Sequence, residues 1–552
     1  MAFTCPNCAG KLYYSIKDKK LKCVNCGSFT EVEEYRLKND AQEVTDTYGL
    51  SSFVCRNCGA EILASDDEAV SYCSYCGSEQ VLEGRMTTET RPRFIIPFKK
   101  TKSQCKAAYK KATEKLAYLP GELRDPEFLD RFRGTYIPYW MYKVDFDGDS
   151  VIKATKKRRS GDSTIISHMD VGTRLSGDYD GVPYDASSCF DDTISDLIMP
   201  FKKEDLTPFT PAYMAGFYAD RASVPPENYR EDALVRASGA ALEEMKRTFQ
   251  SRKMSMEEPS PEERVEVMKP RCDNFFATLF PVWFLTWRKK GRVAYTIVNG
   301  QTGELAGDFP VDIKKYYLVT LAIAAVIFLI MTLAVSMTAR FALGLCAFLV
   351  MIVGAVFGRE AESIRDRENH VFDKGYFVKD RIVAMPEETR EAIRSKVRKK
   401  KDTLEGIASG SRPLTYLPGG LLIFIWIFMF VGGSILWQGM GLMLPATRLK
   451  IAATVIAVIT FFISVKGYSA LRYVEEKSLL IFNTMPLLAA LAALVIAWID
   501  PVDDVYYYMG STLCGACAAL TSVGIIRYFN LLTTRPIPNF FDREGGRDHA
   551  ED

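Results

Sequence analysis

Cys5-Pro6-Asn7-Cys8, Cys23-Val24-Asn25-Cys26, Cys55-Arg56-Asn57-Cys58 and Cys73-Ser74-Tyr75-Cys76 decide how the N-terminal part of this 552-residue chain folds. Within each half, 14 residues separate one pair from the next, and every cysteine of the second half lies 50 residues after its counterpart. The arrangement is an internal duplication. Its central gap is slightly shorter than the usual zinc-ribbon range. A Cys-x-x-Cys pair places two sulfurs on one tight turn, so two pairs can close a tetrahedron around one metal. The residue after each second cysteine is small (Ala9, Gly27, Gly59, Gly77). The turn needs conformational freedom there, and backbone N–H groups can then approach sulfur. The expectation is two four-thiolate sites, Cys5, Cys8, Cys23, Cys26 and Cys55, Cys58, Cys73, Cys76, each holding one structural Zn2+ with no open position for water. Modules this small draw much of their folding energy from the metal. A four-thiolate site also accepts iron, although closed tetrahedral sulfur sites favour zinc.

Outward from the cysteines, the chain changes character near residue 315. Lys plus Arg number 70 against 68 for Asp plus Glu, a balance that argues against a protein coating nucleic acid. The second ribbon carries Glu61, Asp66, Asp67, Glu68 and Glu79. Such a surface repels phosphate, so nucleic acid is a disfavoured partner and protein contact the favoured one. The opening Met1-Ala2-Phe3-Thr4-Cys5 lacks a basic n-region and an apolar stretch, so no cleaved signal peptide is expected. Free thiolates point to a reducing compartment.

The expected organisation is multidomain. Ribbons occupy 1–50 and 51–90, a soluble α+β domain 91–312, a transmembrane hairpin 313–358, a basic helical loop 359–413, further membrane helices 414–528 and a tail 529–552. In the middle domain, Arg93–Phe98 reads as a short strand and Lys102–Leu116 as an amphipathic helix. Gly134–Tyr142, Phe280–Leu285 and Arg292–Val298 read as strands, and Glu231–Phe249 as a second helix. No catalytic constellation emerges. Cys105, Cys189 and Cys272 are isolated and read as partly buried side chains. Asp145, Asp147 and Asp149 lack the glycine and terminal glutamate of a calcium loop and read as a solvated turn at a strand end. No Gly-rich phosphate loop occurs. The reading is therefore non-enzymatic.

Six apolar runs have spanning character: Tyr317–Met337, Phe341–Phe357, Leu414–Trp437, Ile451–Val465, Leu479–Ile499 and Val505–Ile526. Lysine and arginine concentrate in 359–412, in 466–478 and at the start of the tail, which places both termini in the cytosol of a multi-pass inner-membrane protein. The spans carry no Asp, Glu, Lys, Arg or His, which disfavours transport. Cys514 and Cys517 read as small-residue helix packing. The basic run near Lys396–Lys401 suits topology and lipid headgroups equally.

Tandem ribbons, Ile96-Pro97-Phe98-Lys99, Gly134-Thr135-Tyr136-Ile137-Pro138-Tyr139-Trp140, Pro281-Val282-Trp283 and Asn299-Gly300-Gln301-Thr302-Gly303 follow one another in that order. The set resembles the bacterial zinc-ribbon membrane proteins that carry transcription-factor-IIB-type or replication-factor-Y-like labels. The resemblance covers about the first 340 residues and implies a partner-recruiting role beside SPFH (flotillin-like), TPM-domain and phage-shock-protein-A-like proteins. The second ribbon and the extra spans depart from the shorter family pattern. A membrane-anchored scaffold that recruits protein partners is the expected function. A membrane-tethered nucleic-acid binder and a transporter with regulatory ribbons are the alternatives, and a homo-oligomer is compatible with each.

Overall fold

The computed structural model describes residues 3–39, 46–64, 72–79, 84–160, 163–334, 338–368, 445–471 and 477–540. Two sheets are present among them. Leu12–Ser15, Lys20–Cys23 and Phe29–Thr30 form a three-stranded antiparallel sheet around the first cysteine set. All other paired strands belong to one 13-stranded sheet. Its main path runs Thr207–Pro208, Phe94–Ile95, Arg271–Lys289, Arg133–Ser160, Tyr218–Asp220, Glu61–Ala64, Thr47–Val54, Gly84–Thr90. The strands flanking the second cysteine set therefore lie in the same sheet as the middle region. Glu61–Ala64 pairs antiparallel with Tyr218–Asp220, which pairs parallel with the strand carrying Tyr136.

Alternation along Arg271–Lys289 explains why this sheet has two cores. Leu279, Trp283 and Leu285 face one cluster, together with Phe98, Tyr136, Phe217 and the inner residues of the first ribbon. Phe280, Val282 and Phe284 face the other, with Ile137, Tyr139 and the second cysteine set. A strand buried on both faces reads as a continuous apolar run, and Phe280–Leu285 is one. Phe98 packs against Tyr136, Phe217 and Trp283 at ring-centroid distances of 4.9, 4.3 and 5.3 Å. Most of the aromatics in the sequence motifs are thus core. Cys105 and Cys272 are buried and Cys189 is half-buried.

The expected elements are present with shifted ends. The first helix is Lys102–Glu114, started by a reciprocal capping box between Thr101 and Gln104. The second is Arg230–Ser251. The strand read over Gly134–Tyr142 is far longer. Arg133–Ser160 pairs antiparallel with Ser163–Asp185 to make an extended arm. The arm bends where Gly181, at φ +87°, forms a bulge opposite the Tyr142–Lys143 step. Ala233, Ala237, Leu242, Met245 and Phe249 of the second helix cover one face of it, against Val144, Phe146, Ile152 and Ala154. Asp147 and Asp149 are exposed and Asp145 half-buried on the opposite face, within the strand and not at the expected turn, because pairing with Ser163–Asp185 continues past them.

Among the described residues, four helices are long and apolar enough to cross a membrane, not six: Ala339–Gly358, Ala446–Leu471, Leu479–Ile499 and Asp504–Leu532. The expected span Tyr317–Met337 falls on the helix Ile313–Ala334, most of whose outer side chains are outside the described residues. The expected span Leu414–Trp437 and the helix after Pro386 lie outside them entirely. The run read as Ile451–Val465 is a 26-residue helix, because Ala446–Lys450 and Lys466–Leu471 continue it at both ends. Small residues face the centre of this bundle: Ala452, Ala453, Ala489, Ala490, Ala493, Cys514 and Cys517 are buried together. Asn483 donates to the Ser464 carbonyl at 2.8 Å, which satisfies a buried amide inside the bundle.

The ends of the bundle are chemically distinct. At the end remote from the sheet, Arg340 lies 3.0 Å from Asp500, which also accepts from the Tyr507 hydroxyl. At the sheet end, Asn530 exchanges two hydrogen bonds with the backbone of Val311 (2.8 and 3.0 Å). Arg292 reaches the Leu531 and Thr534 carbonyls at 3.2 and 3.1 Å. The last membrane helix is thereby fastened to the sheet domain.

Candidate metal centres

Each cysteine pair sits on a turn with the same backbone hydrogen bonds. The N–H of the first cysteine donates to the carbonyl five residues on: Cys5 to Gly10, Cys23 to Ser28, Cys55 to Ala60 and Cys73 to Ser78, at 2.7–2.9 Å. Its carbonyl accepts from the residue after the second cysteine, Ala9, Gly27, Gly59 or Gly77. All four of those residues are left-handed, at φ +54°, +71°, +77° and +66°. The small residues of the repeat stand where the turn requires them, with Ala9 the strained member.

The turns bring the eight cysteines into two groups of four, each with its sulfurs within 4.8 Å of one another. Sulfur separations are 3.7 Å for Cys5–Cys26, 3.5 Å for Cys8–Cys23, 3.6 Å for Cys55–Cys76 and 3.7 Å for Cys58–Cys73. A tetrahedron with metal–sulfur bonds of about 2.3 Å has edges of about 3.8 Å, so both groups fit a four-thiolate ion such as zinc.

The first centre is half open. Cys5 and Cys23 are buried, whereas Cys8 and Cys26 are exposed, as are Val24 and Phe29 of the same ribbon, at 62% and 49%. Its inner side is held by the main domain: the Tyr14 N–H donates to the Ala215 carbonyl at 2.9 Å, and Tyr14 meets Tyr213 edge-on at 5.3 Å. Ser28 lies 3.0 Å from the Cys26 sulfur and 3.4 Å from that of Cys5. Its hydroxyl is the main cause holding the Cys5 thiol down at about 6, and it lowers Cys26 too. A hydroxyl placed there stabilises thiolate, the form that binds metal.

The second centre is closed. Cys55, Cys58, Cys73 and Cys76 are all buried. The Ser74 carbonyl accepts from the Thr286 hydroxyl, and the Tyr75 carbonyl accepts from the Tyr295 hydroxyl at 2.6 Å. Tyr75 itself donates at 2.5 Å to Asp220, which also accepts from the Ser187 hydroxyl and from the Arg221 N–H. Burial lifts the Asp220 carboxyl to about 6 in spite of those donors. The final cover comes from far along the chain. Arg535–Pro536 adds a short strand beside Arg292–Val293, with Arg535 paired to Asp191. Phe540 then donates its N–H to the Cys58 carbonyl at 2.6 Å and packs edge-on against Tyr75 at 5.8 Å.

The eight cysteines expected as ligands come together in two groups, but most of the residues around them are not legible in the sequence. Ser28 and Ser78 stand two positions after Cys26 and Cys76, again 50 apart, so the repeat itself carries their signal. Asp220, Tyr295 and Phe540 carry no such mark.

Over 321 residues the chain is 26% identical to the uncharacterized protein YdjG of Bacillus subtilis (strain 168), an alignment that takes in 57% of this chain and 92% of that relative. No family model matches the chain, and no solved structure matches it.

Proposed function

We propose that this protein is a non-enzymatic, membrane-anchored docking scaffold in which the first metal centre presents the contact surface and the second is a structural rivet. The observation that carries the reading is the unequal exposure of two otherwise matching centres. Cys8, Cys26, Val24 and Phe29 are all exposed on the first ribbon, while the second centre is enclosed and covered by the segment that follows the last membrane helix. A surface of that kind on a rigid, zinc-braced turn suits a protein partner, since exposed apolar groups beside an ordered backbone supply contact area at little entropic cost.

Zinc is the ion proposed for both sites, and the cytosol the proposed compartment of the sheet domain. Lys466, Lys477 and Arg527 near the sheet-side ends of the membrane helices support that orientation. A membrane-associated SPFH (flotillin-like) protein is the first candidate partner, on the strength of the family resemblance.

The test is co-purification of the full-length protein from detergent-solubilised membranes with a co-expressed flotillin-like protein. Val24→Asp/Phe29→Asp is compared with wild type, and zinc content and thermal stability are measured in parallel. Loss of the partner with both zinc ions retained supports docking through the first ribbon. Partner retention by the variant, or failure of the wild type to bind, rejects it.

A further inference from the structure

The arm formed by Arg133–Ser160 and Ser163–Asp185 is the largest feature that the docking reading leaves without a use. We infer that its outer strand edge pairs with the same edge of a second copy of this chain, antiparallel and in a register centred on Gly172. This inference is independent of the docking reading.

Three observations converge on it. Among the described residues, Ser163–Asp185 is paired along one edge only, with Arg133–Ser160. A long open edge presents backbone donors and acceptors in register and is a template for another strand. Second, the far part of the edge, beyond the Gly181 bulge and the Asp178 and Asp180 carboxylates, is open and partly apolar. Ile165 and Ile166 on that strand are 53% and 50% exposed, and among the described residues the helix Arg230–Ser251 covers only one face of the arm and not this edge.

The third observation is charge order. Residues directly opposite one another in the hairpin share a face, and the solvent face is fixed by the pairs Lys143–Asp180, Asp145–Asp178, Asp149–Arg174, Lys153–Asp170, Lys157–Ile166 and Arg159–Thr164. Its near half is net acidic, Asp145, Asp147, Asp149, Asp178 and Asp180 against Lys143 and Arg174, and its far half is net basic, Lys153, Lys157 and Arg159 against Asp170. A strand edge that meets its own copy around a twofold axis must run antiparallel. The basic end of one arm then lies along the acidic end of the other. Centring on Gly172 sets Asp170 opposite Arg174 of the second copy, twice by symmetry. It also brings Lys157 and Arg159 toward Asp178 and Asp180 of that copy. An in-register parallel alignment would stack like charge on like.

Arg174 already lies 3.6 Å from Asp147 in its own chain, but both side chains are about three-quarters exposed, at 75% and 77%. A pair so open to solvent is weak and does not hold the arginine back. Gly172 has open space where a side chain would be added, so the centre of the register accepts a probe residue.

The experiment uses the full-length protein in detergent, with mass measured by light scattering over a concentration series. Wild type is expected to dimerise, and Arg174→Glu to weaken association about tenfold, because each substitution acts twice in a symmetric pair. Asp170→Arg/Arg174→Asp restores opposite charges across the axis and is expected to recover the dimer. Gly172→Cys is expected to form an oxidised covalent dimer, since opposed antiparallel residues lie about 4.5–5.5 Å apart, within disulfide reach. Val151→Cys, one strand further from the axis on each copy, is expected not to. A wild type that stays monomeric, or a dimer indifferent to Arg174→Glu and unlinked by Gly172→Cys, overturns the inference and leaves the arm to another partner.

Discussion

Cys8 and Cys26 reach solvent at the outer end of the first ribbon, whereas their counterparts 50 residues on, Cys58 and Cys76, are wholly enclosed. The local geometry does not differ: the turns, the left-handed residues and the sulfur separations agree between the two sets. What differs is the material laid over them. The first ribbon keeps its own three-stranded sheet and touches the main domain on one side. The strands flanking the second set were absorbed into the 13-stranded sheet, and the chain end returns to close it. One duplicated metal turn has thus produced a surface and a core. The lesson is that ligand spacing specifies the site, and the partners of the flanking strands specify its use.

The largest effect that could break this comparison is removal of one buried ligand. Cys58→Ser leaves an incomplete site inside the second core, beneath Phe284, Tyr295 and Phe540. It is expected to cost more than about 5 kcal/mol, enough to abolish the folded sheet domain. Cys8→Ser is expected to release one zinc per chain while leaving the main thermal transition in place. Equal damage from both substitutions, read by thermal unfolding and zinc content, would erase the distinction drawn between the centres.

Next in size is the rate of metal loss. Chelator reaches the first centre through exposed thiolates, but the second only through opening of the sheet domain. Zinc release is expected in two phases of equal amplitude separated by at least about hundredfold in rate, scaling with the opening free energy of the core. Cys8→Ser/Cys26→Ser should delete the fast phase alone. A single phase in the wild type would show that the two centres are equally open.

These expectations rest on contacts of very different legibility. The cysteines, the residue after each pair and the apolar strand Phe280–Leu285 could be read directly, because turn chemistry and periodicity are local. Helix Arg230–Ser251 was readable within two residues at each end for the same reason. The pairing of Glu61–Ala64 with Tyr218–Asp220 joins residues more than 150 positions apart, and Phe540 meets Cys58 from more than 480 away. No local signal encodes such contacts. The strand expected over Gly134–Tyr142 is 28 residues long, Arg133–Ser160, because its distal charged part alternates around an apolar face that only the second helix reveals. The membrane region reversed the difficulty: hydropathy suggests six runs, and among the described residues four helices are long and apolar enough to cross a membrane.

A smaller effect sharpens the picture of the second core. Asp220 is fully enclosed, and its folded pKa of about 6 stands above its ordinary value, so burial favours the protonated form. Its stabilising contribution is therefore complete below the ordinary carboxyl range and is lost as pH rises through about 6. Asp220→Asn keeps an acceptor for Tyr75 and cannot ionise. Wild-type stability minus that of the variant is expected to fall by about 1 kcal/mol between pH 5 and 7.5. Measuring the difference cancels the pH dependence of zinc binding common to both proteins. A difference independent of pH would mean that water reaches the carboxylate and that the second core is less closed than its neighbours indicate.

The smallest effect lies at the first centre, where the repeat breaks its own pattern. Ala9 holds a left-handed backbone at φ +54° where the other three turns use glycine. Relief of that strain is worth about 1 kcal/mol, and the extra freedom of glycine in the unfolded chain takes back roughly half of it. Ala9→Gly is thus expected to tighten the first site by about 0.5 kcal/mol, a little over twofold in zinc affinity by chelator competition. Gly27→Ala is the reciprocal change, at φ +71° with open space around the added carbon, so its cost is conformational rather than steric. By the same terms it should weaken the same site by about 0.5 kcal/mol, a little over twofold. Opposite signs from the two substitutions would establish that the exposed centre is held by its turns, with little help from packing. If both are silent, the outer turns rearrange freely around the metal, and the rigid contact surface on which docking depends is lost with them.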